Sequence, residues 1–359
     1  MTGRTFVTDT SSAGIQAAVG DAPDGGLVVL APGQTYGFDA VEIGDKALTL
    51  DLRGATIDSM NAGHYALQQT TARKRLTVLG GVFTGAGHGI LWKMPPSDSQ
   101  SYDVSLSDVS FVLPSSKNGL TLTGAREVTI RDCYFETCTG IYIVATVNSH
   151  VMGSQFKNCT AAVDCEGTGT SYDAGLFVND ATMLGCGYGI KIVKWDYFNV
   201  ADSMIDYCYR PLNVANTVTG TVNNSYLTCP VSIGGVAYPA VDITSSDHIK
   251  IANCVIRTHT DLPVQSLGMR ISGTPRTQIM HNTIDFWQKF GVQMVGDNAF
   301  TRFTGNYIHS VSPTTGPAAI RGASNASESS WCLIGNQFSD ALSNVHADYT
   351  DIGNYTGEG

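Results

Sequence analysis

Charge is scarce in this chain of 359 residues: only 14% are Asp, Glu, Lys or Arg, and the net charge is −10. An acidic balance with so few cations argues against nucleic acid as the main partner, since phosphate contacts need a basic footprint. It leaves room for an acidic glycan met by a local basic patch. Long apolar runs are missing, so no membrane span is expected. Met1-Thr-Gly-Arg-Thr5 lacks the apolar stretch of a signal peptide, which predicts synthesis in the cytoplasm without a cleaved leader. The nine cysteines are an odd number with no C-x-x-C pair and no paired Cys/His spacing. That argues against a disulfide framework and a zinc site, and for assembly in a reducing compartment.

What the chain does have is a repeat. Gly81, Asp108, Asp132, Ser154, Asp180, Asp202, Asn224, Asn253, Asn282, Asn306 and Asn336 occupy one place in it, with gaps of 27, 24, 22, 26, 22, 22, 29, 29, 24 and 30 residues. Repeats of this period stack as a solenoid, because none buries its apolar face alone. Each bend residue is followed by a large apolar residue and then a short alternating run, such as Ile141 and Ile143, Ile190 and Ile192, or Leu212 and Val214. Such runs are strands. Asn and Asp suit the bends, since they tolerate left-handed backbone and bond their own main chain. The spacing of leucine-rich repeats is absent, and the period is too long for a hexapeptide helix. The expected fold is all-β: a single-stranded parallel β-helix of about 11 or 12 coils, right-handed, in one domain. Cys138, Cys159, Cys186, Cys208 and Cys229, spaced 21, 27, 22 and 21 apart, read as small apolar residues stacked inside it.

The segment Ser11–Val19 reads as a short helix capped by Ser11 or Ser12, with Ile15, Ala18 and Val19 on its apolar face. The expected organisation is a cap helix and first strands over residues 1–37, the β-helix over 38–338, and a polar tail over 339–359 that leaves the repeat and either caps the last coil or packs on a neighbour. Ile15-Gln-Ala-Ala18, Gly25-Gly-Leu-Val-Val-Leu-Ala-Pro-Gly33 and Thr35-Tyr36 resemble the opening of the pectate-lyase-like β-helix superfamily, as found in phage tailspikes and capsule depolymerases. The resemblance implies a homotrimer carried on a phage tail, acting outside the cell on a bacterial exopolysaccharide or capsule. Tyr36-Gly-Phe-Asp39 faintly resembles a stretch of alginate epimerases that continues Pro-His; here Ala40-Val41 follows, which removes the motif.

Chemistry is sought on the exposed side of the strand that follows each bend. Inward apolar residues alternate with outward ones, giving the column Thr121, Tyr142, Asp164, Lys191, Asn213, Asp242, Arg270, Gln293 and Arg321. Two residues further on runs a second column, Thr123, Val144, Glu166, Val193, Ala215, Thr244 and Ser272. Irregular corners at 93–102, 167–175, 229–240 and 257–268 are the places where loops carry function. Tyr142, Asp164, Glu166 and Lys191 are the candidate catalytic residues; Asp173, Lys194, Trp195, Tyr197, Asn213 and Arg270 are candidate substrate ligands. In a polysaccharide lyase, Lys191 or Arg270 neutralises a uronate, and Tyr142 or Lys191 serves as base or acid. Asp164 and Glu166 are then candidate Ca²⁺ ligands. In a glycoside hydrolase, Asp164 and Glu166, or one of them with Asp173, form the acid and base pair. A non-catalytic glycan-binding fibre is the third reading. Elimination is placed slightly ahead of hydrolysis. Surface ion pairs in adjacent coils give the same pattern without function.

Overall fold

The computed structural model describes residues 3–70, 74–94, 103–169, 173–229, 238–258, 267–286, 290–310, 318–322, 331–338 and 350–356. Most of the irregular corners at 93–102, 229–240 and 257–268, and the middle of 167–175, lie outside them. The chain divides into two compact units, Met1–Ala181 and Thr182–Gly359. Both are parallel β-solenoid, with about 12 turns in all.

A coil of the first unit has three strands, Arg126–Arg131, Tyr134–Glu136 and Thr139–Val144, one in each of three parallel sheets called I, II and III here. The next coil lies on it in register: Val128 on Ser149, Phe135 on Phe156, Ile141 on Val163. The second unit repeats the plan with Tyr197–Ala201, Met204–Asp206 and Arg210–Ala215. Alternation places Ile141, Ile143, Ile190, Ile192, Leu212 and Val214 inside, each with no exposed surface. In the first unit Phe83, Phe111, Phe135 and Phe156 stack ring on ring, with centroids 4.9, 4.9 and 4.8 Å apart. Stacked aromatic pairs add about 0.5–1.5 kcal/mol each beyond the area they bury. A row of small residues gives the rings room: a Cβ on Gly140 would lie 2.7 Å from Phe156 and 2.5 Å from the Ala162 carbonyl.

The bend from sheet I to sheet II separates two roles that the repeat pattern merges. Asp108, Asp132, Asp180, Asp202, Asn224 and Asn253 have φ between 47° and 58°, the left-handed region, at the bend itself. Ser154, Asn282, Asn306 and Asn336 stand one residue later and are buried, behind Gly153, His281, Gly305 and Gly335, which take the left-handed turn. From this inward place Asn306 Nδ2 donates to the Ile279 carbonyl (2.8 Å) and to Asn336 Oδ1 (2.9 Å), while Asn306 Oδ1 accepts from the Asn282 backbone N–H (3.0 Å). The ladder therefore answers backbone groups that the turn leaves without ladder partners. It runs on to Asn354, whose Oδ1 accepts from Asn336 N at 2.6 Å. Residues 350–356 thus continue the pairing of sheets I and II, and the rest of the segment 339–359 expected to leave the repeat lies outside the described residues. Thr350–Ile352 pairs with Cys332–Ile334, and Tyr355–Thr356 with Gln337–Phe338. The gap of 18 residues from Asn336 to Asn354 is shorter than any earlier one and hides the last coil.

The five-cysteine row is internal as expected: Cys138, Cys159, Cys186, Cys208 and Cys229 are at most 4% exposed, and all nine cysteines are free thiols. The helix spans Ser12–Asp21, with Ser11 as its N-cap accepting from Gly14 N at 3.1 Å. Ile15, Ala18 and Val19 are its buried face. In the stretch with the faint epimerase likeness Tyr36 and Phe38 are core at 1% exposed, while Asp39 is exposed.

Two substitutions separate the roles at the bend. Asn306→Ala leaves buried backbone groups unanswered and is expected to cost about 2–3 kcal/mol in urea unfolding. Asn224→Gly keeps the left-handed turn and is expected to stay within about 0.5 kcal/mol. Equal losses would mean that the two positions are not distinct.

Candidate functional site

Sheet III carries the expected columns. In the first unit Thr121 pairs with Tyr142 and Tyr142 with Asp164; two residues on, Thr123 pairs with Val144 and Val144 with Glu166. Asp164 is half-buried and Glu166 is exposed. Tyr142 Oη donates to Glu166 Oε2 at 3.1 Å. Burial, then the hydrogen bond and negative charge of Glu166, push the Tyr142 phenol up to about 12. Tyr142 is therefore a neutral hydrogen-bond donor around pH 7.

A third outward row begins six of the sheet III strands and was not read from the sequence. Tyr65 pairs with His88 in the adjacent strand, and Asn118 opens the strand after that. The rings of Tyr65 and His88 lie 4.7 Å apart. Tyr65 Oη and Thr121 Oγ1 are 2.9 Å apart, and Asn118 Nδ2 donates to both, at 3.4 and 3.0 Å. His88 Nδ1 accepts from the Asn118 backbone N–H at 3.1 Å, which leaves the proton of the neutral ring on Nε2. Burial lowers the pKa of His88, with a smaller contribution from Lys117. The missed signal is a motif: an outward residue, then Gly or Ala, then an apolar residue, three places before the column. Tyr65, His88, Asn118, Thr139, Tyr188 and Arg210 fill its first place, with Pro211 in place of the small residue after Arg210.

In the second unit the column runs Lys191, Asn213, Asp242, Arg270, Gln293 and Arg321, each paired with the next. Arg270 grips Asp242 through two bonds, Nε to Oδ1 at 2.8 Å and an Nη to Oδ2 at 2.5 Å, with the Asp242 side chain 4% exposed. The hydrogen bond raises the pKa of Arg270. Its charge is matched within the protein, so the expected part as neutraliser of a uronate is corrected.

Four further candidate ligands stand elsewhere than expected. Lys194 has φ 55° and turns the chain from sheet III into sheet I. Tyr197 therefore pairs with Thr219 in sheet I, a different face from Lys191. Trp195 has no exposed surface, so its ring is core and cannot stack on a sugar. Asp173 is 1% exposed, and its Oδ2 accepts from Thr168 N (2.7 Å), Thr168 Oγ1 (3.0 Å) and Gly169 N (2.9 Å). It braces its corner and does not face a ligand. Among the described residues no three His, Cys, Asp or Glu side chains group as metal ligands. Calcium takes about six to eight oxygens, so Asp164 and Glu166 alone do not fit it. Among the described residues no helix is long and apolar enough to cross a membrane.

No protein-family model and no curated protein sequence matches the chain. Solved structures do. Tailspike protein 3 of bacteriophage CBA120 is similar at 10% identity, over 98% of this chain and 59% of that one, with a TM-score of 0.59. The A-module of the mannuronan C-5 epimerase AlgE4 of Azotobacter vinelandii is similar at 15% identity, over 95% of each chain, with a TM-score of 0.55. The periplasmic alginate epimerase AlgG is similar at 7% identity, over 98% of this chain and 84% of that one, with a TM-score of 0.51. The chain thus spans only 59% of the tailspike's length. These likenesses show the fold alone, a right-handed parallel β-helix.

The phenol of Tyr142 gives a direct check. Its folded pKa lies above the usual 10, so its share of stability is present below about pH 10 and is lost as pH rises towards 12. Glu166→Gln removes the charge and leaves the burial, so ultraviolet titration should show the Tyr142 pKa falling yet staying above 10. An unchanged value would mean that the two side chains do not meet.

Proposed function

We propose that this chain is an enzyme that degrades a bacterial surface polysaccharide, and that it cleaves by hydrolysis at Asp164 and Glu166. One observation carries the reading. Two carboxylates stand two residues apart on the outward side of one strand, with the Tyr142 hydroxyl bonded to one of them. Such positions lie about 6.5 Å apart at Cα on one face, so both carboxyl groups can reach one glycosidic bond, as the acid and base or nucleophile pair of a glycosidase must. Glu166, exposed and oriented by Tyr142, takes the role of base or nucleophile, and the half-buried Asp164 that of acid.

This reverses the order given by the sequence. Elimination needs a cation beside a uronate, whereas the outward groups at this strand are both carboxylates and repel one. Elimination stays as a second reading for one reason: a phenol pushed up to about 12 suits the donor that protonates a leaving oxygen. Lys191 is the cation that reading calls on. The likeness to a phage tailspike supports action outside the cell on a virion, as a homotrimer, and the likeness to two epimerases of uronate polymers supports a polysaccharide ligand.

The test is digestion of a panel of bacterial exopolysaccharides and capsules. Hydrolysis yields new reducing ends without the ultraviolet absorbance of an unsaturated uronate. Asp164→Asn and Glu166→Gln should each lower kcat/KM by about 100-fold or more, with circular dichroism unchanged. New absorbance would replace hydrolysis with elimination. Tight binding without either signal would make the chain a glycan-binding fibre.

A further inference from the structure

The network at the start of the sheet III strands is built more elaborately than a surface needs. Tyr65, His88, Asn118 and Thr121 come from three successive coils of the first unit and interlock through ring stacking and hydrogen bonds. Their effect is to fix one imidazole. With Nδ1 held by the Asn118 backbone N–H, His88 presents Nε2–H as a fixed donor, and among the described residues no protein group accepts from it. Lys117, next in sequence to Asn118, donates its Nζ to the Ala62 carbonyl at 2.5 Å, which fixes the ammonium on this side of the strand while two of its three donors remain for a ligand, and it stands near enough to lower the pKa of His88. On an earlier coil Asp39 is already held by His64 Nδ1 at 2.6 Å. The cluster therefore offers donors and a positive charge beside a ring edge.

We infer that His88, with Lys117 beside it and Tyr65 and Asn118 to orient it, is a binding subsite for the carboxylate of an acidic sugar. It rests on the reading that this face of the first unit handles glycans, and it names the substrate class: an acidic heteropolysaccharide. The His88 strand lies three strand steps from that of Glu166, about 14 Å along the stack. An acidic sugar held at His88 leaves the bond of a more distant, neutral sugar at the two carboxylates. This arrangement resolves the electrostatic conflict between acidic substrate and acidic cleavage site. The neutral ring donates to the carboxylate through Nε2–H, and the Lys117 ammonium supplies the charge. Tyr65 and Asn118 act through His88 and are positioning residues.

The experiment is nitrogen NMR of the full chain with labelled histidine, titrated at matched ionic strength with sodium glucuronate and, separately, with methyl glucoside. His88→Asn identifies the signal; its amide oxygen can take over the Asn118 N–H and preserve the strand. Glucuronate should move the His88 Nε2 signal saturably, and methyl glucoside should bind about tenfold more weakly or worse. Lys117→Met should weaken glucuronate by about tenfold and leave methyl glucoside unchanged. Equal responses to the two sugars, or none, would overturn the subsite and reduce the network to scaffold. The Glu166→Gln protein should still show the glucuronate shift. A chain that shows the shift but cleaves nothing keeps the subsite and loses the hydrolase.

Discussion

Parallel, in-register hydrogen bonding between successive coils is the constraint on which the rest of this molecule depends. A coil has no core of its own; its inward apolar residues are buried only because the next coil lays its own residues on them. Strand pairing satisfies the backbone along the flat faces, but each bend breaks the ladder. The structure answers the bends with left-handed residues at the turn and with inward polar side chains, of which the Asn282–Asn306–Asn336–Asn354 ladder is the fullest case. An amide in that place donates twice, to a backbone carbonyl and to the next amide, and accepts at its oxygen. A serine hydroxyl does less: Ser154 Oγ accepts from Cys133 N at 3.2 Å and donates to the Met152 carbonyl.

The same stacking turns residues two dozen places apart into lateral neighbours. Inward rows become homogeneous, as in the Phe83 to Phe156 stack, because mismatched sizes leave voids. Outward rows are free of that demand, so their composition is where chemistry can be written. In the first unit the outward rows of sheet III hold imidazole, amide, phenol and carboxylate groups. In the second unit the corresponding column holds Lys191, Asn213 and the matched Asp242–Arg270 pair. Breaking such a pair leaves a buried carboxylate unanswered, which makes it scaffold more than reagent.

The parts of this design that repeat were legible in the sequence, and the parts that interrupt the repeat were not. Alternation alone placed Tyr142, Asp164 and Glu166 on outward columns, because a strand's side-chain period admits no other choice once Ile141, Ile143 and Val163 face inward. It failed at corners. Trp195 and Tyr197 looked like neighbours of Lys191, but the left-handed turn at Lys194 sends the chain into another sheet, and nothing in the polar Lys194-Trp-Asp-Tyr197 stretch marks that turn. It merged Asn282 with Asp132 because both precede an apolar residue, although only one faces the core. It also missed Tyr65 and His88, since the small residue and the apolar residue after each both point inward and break strict alternation. Asp173 looked like a ligand because corner loops carry function, yet its carboxylate is spent on the loop's own backbone.

The proposed chemistry requires a sugar chain to lie along the outward rows of the first unit's sheet III. The direct measurement is a crystal structure of the Glu166→Gln protein with an oligosaccharide from its own polysaccharide substrate. Sugar density is predicted over Tyr142 and Asp164, with an acidic residue reaching towards His88. Density on sheet I or sheet II, or over the Asp242–Arg270 pair alone, would contradict it.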